Sequence, residues 1–136
     1  MRKLFKEADE IMDENSLSKQ IIGAAIEVHR ALGPGLLESV YEECLAFELA
    51  AREIPFERQN VFPVNYKGVM IDCGLRLDLI VGGLVVVELK AVDSLAPIHE
   101  ARLITYLKLT GCKLGLLINF NVLMLKNGIK RVVYDL

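Results

Sequence analysis

At Phe56 the spacing of apolar residues changes from a helical rhythm to an extended one. That switch limits the chain to folds in which helices and strands share a core. Before it, Ile21, Ile22, Ala25, Ile26, Val28 and Leu32 form one broad apolar stripe, ended by Gly33-Pro34-Gly35. The proline cannot continue a helical hydrogen-bond ladder, and glycine readily takes the positive φ of a helix stop. Residues 37–52 form a second helix, with Val40, Tyr41, Cys44, Leu45, Phe47 and Leu49 among its apolar positions, and Pro55 closes the connection. Upstream, Leu4, Phe5, Ala8, Ile11 and Met12 predict a short amphipathic helix, and Ser16 or Ser18 is expected to cap the helix that follows.

Beyond the switch, residues 61–66 and 69–71 read as a hairpin around Lys67-Gly68, and residues 75–81 and 84–89 as two further strands around Gly82-Gly83. Pro97 opens a third helix that Gly111 stops. Residues 114–120 are an apolar run suited to a buried strand. Residues 122–125 and 129–134 read as a closing hairpin around Asn127-Gly128. The order predicts an α/β fold, a mixed β-sheet flanked by helices, in a single domain over residues 1–136 with residues 1–16 as a helical extension.

Composition excludes several classes. With 25% charged and 53% hydrophobic residues, the chain is not of the disordered type. No run reaches the ~20 apolar residues of a spanning helix. The N-terminus turns acidic where a secretory apolar region would begin, so a cytoplasmic protein is expected. Cys44, Cys73 and Cys112 are widely spaced and only His29 and His99 accompany them, which argues for reduced core thiols and against zinc. A net charge of −2 gives no general attraction to polyanions, so nucleic-acid binding requires a local basic patch.

The chemistry concentrates in residues 77–90. Asp78, Glu88 and Lys90 punctuate strands that otherwise look fully buried. Charged groups seldom interrupt apolar strands without a function; the plain alternative is an ion-pair network at a sheet edge. Glu88 and Lys90 share a sheet face, because side chains alternate along a strand. A three-residue loop at 82–84 sets Asp78 opposite Glu88, whereas a two-residue Gly82-Gly83 loop pairs it with Val87 and sends it to the other face. Two adjacent carboxylates suit Mg²⁺ or Mn²⁺, which polarises a phosphodiester and activates water, with Lys90 orienting that water or stabilising the transition state.

These residues carry a resemblance. Asp78-x9-Glu88-Leu89-Lys90 resembles the PD-(D/E)XK nuclease signature. Gly35-Leu-Leu-Glu38-Ser-Val-Tyr41 is similar to the motif that names the GxxExxY family of that superfamily, and residues 99–111 resemble its next helix. The similarity spans residues 18–133. It implies a restriction-endonuclease-like core of helix, three antiparallel strands, helix and strand. It also implies a Mg²⁺- or Mn²⁺-dependent nuclease acting on nucleic acid, DNA above all. Asp78 and Glu88 would be metal ligands with the Leu89 carbonyl as a further one, Lys90 the catalytic lysine, and Glu38 an additional acid from the second helix.

Two departures stand out. Related exonuclease-like members carry Gln-x-x-x-Tyr on the helix after the lysine; here Tyr106 fits but Arg102 replaces the Gln, a residue able to bind phosphate directly. Leu77 stands where the motif's name has proline. The alternative function is a nuclease-fold module that binds nucleic acid or a protein partner without cutting.

The remaining polar groups read more plainly. Glu38 also suits a helix N-terminus as a solvated dipole partner, Tyr41 and Tyr106 suit core positions with tethered hydroxyls, and His99 suits the start of its helix. Lys126, Lys130 and Arg131 read as a solvated hairpin tip. The apolar N-terminal helix and closing hairpin suggest surplus hydrophobic surface, hence a homodimer.

Overall fold

The computed structural model describes residues 12–136. The helix expected over residues 4–12 lies outside these, apart from its last residue. Helix α1 spans Glu14–Leu32 and α2 spans Glu38–Ala51. Three strands follow, β1 (Phe56–Tyr66), β2 (Val69–Val81) and β3 (Val85–Lys90). Helix α3 (Pro97–Thr110) leads to β4 (Leu114–Asn119), and β5 (Ile129–Val133) ends the sheet.

The five strands lie in sequence order, β1-β2-β3-β4-β5. Neighbours are antiparallel except β3 and β4, which α3 connects as a parallel crossover. The sheet is therefore mixed and covered on both faces. Leu17, Ile21, Ala25, Leu45 and Leu49 of α1 and α2 pack on one side against Leu79, Val81, Val85, Val87 and Leu116. Leu103 and Leu107 of α3 pack on the other against Ile80, Val86, Leu117 and Val132. Burial on both faces is why β4 is apolar at nearly every position and shows no alternation.

Close approach of α3 depends on one glycine. A Cβ on Gly115 would come within 2.8 Å of Leu103, so the missing side chain lets the helix settle directly on β4. The helix stop at Gly111 is a left-handed cap, its N–H bonded to the Leu107 carbonyl.

Four expectations need correction. The cap of α1 is Asp13, whose carboxylate accepts the Ser16 N–H at 2.8 Å; Ser16 and the buried Ser18 lie inside the helix. Asp serves as well as Ser at this position, and it stands one residue before the first turn. The segments 69–71 and 75–81 are one long strand, β2, that absorbs Gly74 at positive φ. Residues 122–125 form no strand, because β5 pairs directly with β4 (Ile118↔Ile129 to Leu114↔Val133) and the intervening residues turn through a short 3₁₀ segment, Leu125–Gly128. Cys112 is buried and Cys44 partly so, but Cys73 is exposed on the β1–β2 ribbon rather than in the core; all three thiols are free.

Candidate active site

The pairing Val81↔Val85, Ile80↔Val86 and Leu79↔Val87 makes Gly82-Gly83-Leu84 a three-residue loop, with both glycines at positive φ. Continued by one rung, that register sets Asp78 opposite Glu88. Beyond Leu79↔Val87 the backbone ladder gives way to side chains. The Asp78 N–H donates to Glu88 Oε2 at 3.1 Å, and the Leu89 N–H donates to Asp78 Oδ2 at 2.9 Å. The two strands thus part around a pair of carboxylates held by backbone donors.

Strand alternation decides the face. On β3, Val86 belongs to the core beneath α3, so Glu88 and Lys90 are directed to that side, and Asp78 is tied to Glu88 by the bonds above. There α3 contributes Arg102 and Tyr106, one turn apart and flanking the buried Leu103 and Leu107. Burial, then the Asp78 charge, pushes the Glu88 carboxyl up to about 8, while Lys90 and Arg102 pull the other way. The Tyr106 hydroxyl is also raised, first by burial and then by Glu88, with Arg102 opposing. These mutual influences set Asp78, Lys90, Arg102 and Tyr106 around the half-buried Glu88, and the space among them is the candidate cleft.

The end of β3 is tied firmly. The Phe120 N–H donates to the Lys90 carbonyl at 2.9 Å. The buried Asn119 side chain holds the next turn, accepting the Val92 N–H at 3.0 Å and donating to the Val92 carbonyl at 2.9 Å. Phe120 in turn stacks on Tyr41, with ring centroids 4.5 Å apart and planes 6° from parallel. The Tyr41 hydroxyl donates to the Gly33 carbonyl and accepts the Leu36 N–H, so it is a buried core residue with a tethered hydroxyl. Through Tyr41 and Phe120 the start of α2 is anchored beside Lys90.

Glu38 opens α2 at that same end but is exposed. Among the described residues no three His, Cys, Asp or Glu side chains gather closely enough to hold an ion together, so Glu38 stands outside the Asp78–Glu88 pair. His99 Nδ1 accepts the Ala96 N–H at 3.0 Å and so caps α3. His29 donates through Nε2 to the Val122 carbonyl at 2.7 Å, a structural tie. At the far edge Lys130 pairs with Glu100 and Arg131 bonds Asn15.

Sequence reasoning missed Gln59, Glu42 and Arg58. Gln59 Nε2 donates to Glu42 Oε1 at 2.9 Å and reaches Asp78 Oδ1 at 3.5 Å, the outer limit of a hydrogen bond. Arg58 holds the other Glu42 oxygen at 3.1 Å and pairs with Glu43 at 2.6 Å. Counting back from Tyr66↔Val69 would set Gln59 opposite Arg76; the register shift between Phe62 and Val64 sets it at the Asp78 rung instead. Pro63, inside an otherwise regular strand, was the available signal for that irregularity.

The donor set of the cleft fits a hard divalent cation. Asp78 and Glu88 lie within reach of each other's charge, and those like charges, with Glu88 desolvated, call for a counter-cation. Two carboxylates and a nearby backbone carbonyl, with no third acidic side chain, suit an ion that keeps much of its water.

A family model for the PD-(D/E)XK nuclease superfamily matches residues 15–132. The chain belongs to that superfamily, and its mixed sheet with flanking helices is the restriction-endonuclease-like fold. Nucleases of this superfamily generally work with divalent metals. No match to the chain is found among curated proteins or among solved structures. No helix among the described residues is long and apolar enough to cross a membrane.

Proposed function

We propose that this protein is a divalent-metal-dependent nuclease of the GxxExxY group that hydrolyses phosphodiester bonds in DNA. The observation that carries the reading is the interlock of Asp78 and Glu88 across the splayed strands, with Lys90 on the same face. Asp78, Glu88 and the Leu89 carbonyl would hold Mg²⁺ or Mn²⁺, which when bound supplies a Lewis acid for the scissile phosphate.

The protein's own groups do the rest. The Lys90 ammonium, fixed at its backbone by Phe120, orients the attacking water and offsets negative charge as it grows on the phosphate. Arg102 binds a phosphate oxygen of the substrate and holds the backbone in line, in place of the glutamine of exonuclease-like relatives. The Tyr106 hydroxyl, kept protonated, donates to a second oxygen. Exposed apolar residues such as Leu37, Phe47 and Leu123 support a homodimer, and free thiols support a cytoplasmic setting.

Cleavage of single- and double-stranded DNA with Mg²⁺ or Mn²⁺ by wild type, Asp78→Ala and Lys90→Ala tests this reading. Loss in both variants is the expected result, and equal activity in all three would overturn it. Calorimetry separates the alternative, a binding module without catalysis: no divalent uptake by the wild-type protein would favour the module.

A further inference from the structure

Two residues apart on one strand should share a sheet face. Along β2 they do not: Leu77 packs beneath α3, whereas Leu79 packs beneath α1 and α2. The partner strand reverses at the same place. Phe56 packs on the α1–α2 side and Phe62 on the α3 side, although six residues separate them. Between the rungs Arg58↔Leu79 and Asn60↔Leu77 lie Gln59 and Asp78. Gln59 takes φ +51°, and this single left-handed residue turns the ribbon over at the rung it shares with Asp78.

A left-handed backbone is strained for any residue with a Cβ, and glycine would make the same turn without that strain. What glutamine adds is its amide. The two N–H donors of that amide are divided between Glu42 Oε1 at 2.9 Å and Asp78 Oδ1 at 3.5 Å. Glu42 is itself fixed by Arg58. Asp78 Oδ2 is already taken by the Leu89 N–H, so the two oxygens are held from opposite sides.

We propose that Gln59 is a positioning residue: it turns the ribbon at the Asp78 rung and, braced by Glu42 and Arg58, aims the Asp78 carboxylate into the cleft. This rests on Asp78 being a metal ligand, as argued above. The amide touches neither substrate nor reacting atoms; it sets the direction in which the free lone pairs of Asp78 point.

The test is calorimetric titration with Mn²⁺ of wild type, Gln59→Gly and Gln59→Asn, beside their thermal midpoints without metal. Glycine and asparagine both tolerate left-handed backbone, so neither midpoint should fall; neither side chain reaches Asp78 as glutamine does. Mn²⁺ affinity should drop by about tenfold to a hundredfold in both, the usual cost of losing a partner that orients a ligand. Saturating Mn²⁺ should then restore DNA cleavage by Gln59→Gly but not by Lys90→Ala, a split that a merely structural residue would not produce. Wild-type uptake of Mn²⁺ with unchanged affinity in both variants overturns this inference alone. A fall in affinity matched by a fall in both midpoints also overturns it, since the residue would then serve only the fold. Wild type that takes up no Mn²⁺ overturns the metal site itself, and this inference with it.

Discussion

Asp78 and Glu88 each complete the other's strand: Glu88 accepts the N–H of Asp78 at 3.1 Å, and Asp78 accepts the N–H of Leu89, the residue after Glu88, at 2.9 Å. Ladder hydrogen bonds that two β-strands would otherwise make through their backbones are made here through two carboxylates. Carboxylates can accept these bonds and still keep lone pairs for a cation. The same interlock that ends the β2–β3 pairing therefore builds the site, and it leaves a desolvated acid beside a like charge.

That acid makes stability depend on pH. With the Glu88 carboxyl raised to about 8 in the fold, the folded protein holds a proton that the unfolded chain has already released above its ordinary 4.5. The contribution is full below the ordinary value and is lost as pH rises through the raised one, by up to about 1.4 kcal/mol per pH unit between them. Glu88→Gln removes this slope. In EDTA its thermal midpoint should exceed wild type by roughly 10–15 °C at pH 8 and converge on it toward pH 5 and below. Parallel melting curves across that range would show that Glu88 is not the group responsible.

Metal binding should carry the opposite sign. A cation binds the ionised pair, so at neutral pH it must displace the Glu88 proton. Mn²⁺ affinity should rise about tenfold per pH unit below the raised value and level off above it. Titrations at pH 7 in two buffers of different ionisation enthalpy should report close to one proton released per ion. Release of none would mean that the ion does not need Glu88 ionised.

Lys90 and Arg102 should separate kinetically. Lys90→Ala removes a group that matters as charge develops, so kcat should fall by about a hundredfold or more with KM little changed. Arg102→Ala removes a phosphate contact made equally by substrate and transition state, so KM should rise with kcat nearly preserved. Steady-state cleavage of a labelled oligonucleotide distinguishes them, and identical profiles would contradict the division of roles.

Gly115→Val tests the seating of α3. The new side chain would start 2.8 Å from Leu103, and overpacking of this kind costs about 1–3 kcal/mol. The urea midpoint should fall. Because Arg102 adjoins Leu103, KM for DNA should rise as well. A midpoint equal to wild type would show that the helix moves freely to make room.

How much of this was legible beforehand follows from the range of the forces involved. The stripe from Ile21 to Leu32, the stop at Gly33-Pro34-Gly35, the buried run of β4 and the charged residues inside apolar strands are local patterns. Neighbouring residues suffice to read them, and α1, α2, α3 and β4 stand close to where those patterns place them. The cap at Asp13 and the absence of a strand at 122–125 escape a local reading because each depends on a competition. Asp13 outcompetes two nearby serines, and β5 reaches β4 before residues 122–125 can pair with it.

The sequence by itself determined which residues carry charge, which face water on a helix or strand, and that Asp78, Glu88 and Lys90 stand in strands. It left open whether the Gly82-Gly83 turn takes two residues or three, and one residue's difference sends Asp78 to opposite sides of the sheet. Only the tertiary structure decided that, through the pairing Val81↔Val85. It also decided that Gln59 sits at the Asp78 rung and that Arg102 and Tyr106 come within reach of the Glu88 charge. Register and helix seating are set by packing between segments distant along the chain. Each is the sum of many weak contacts, and no short stretch of sequence contains it.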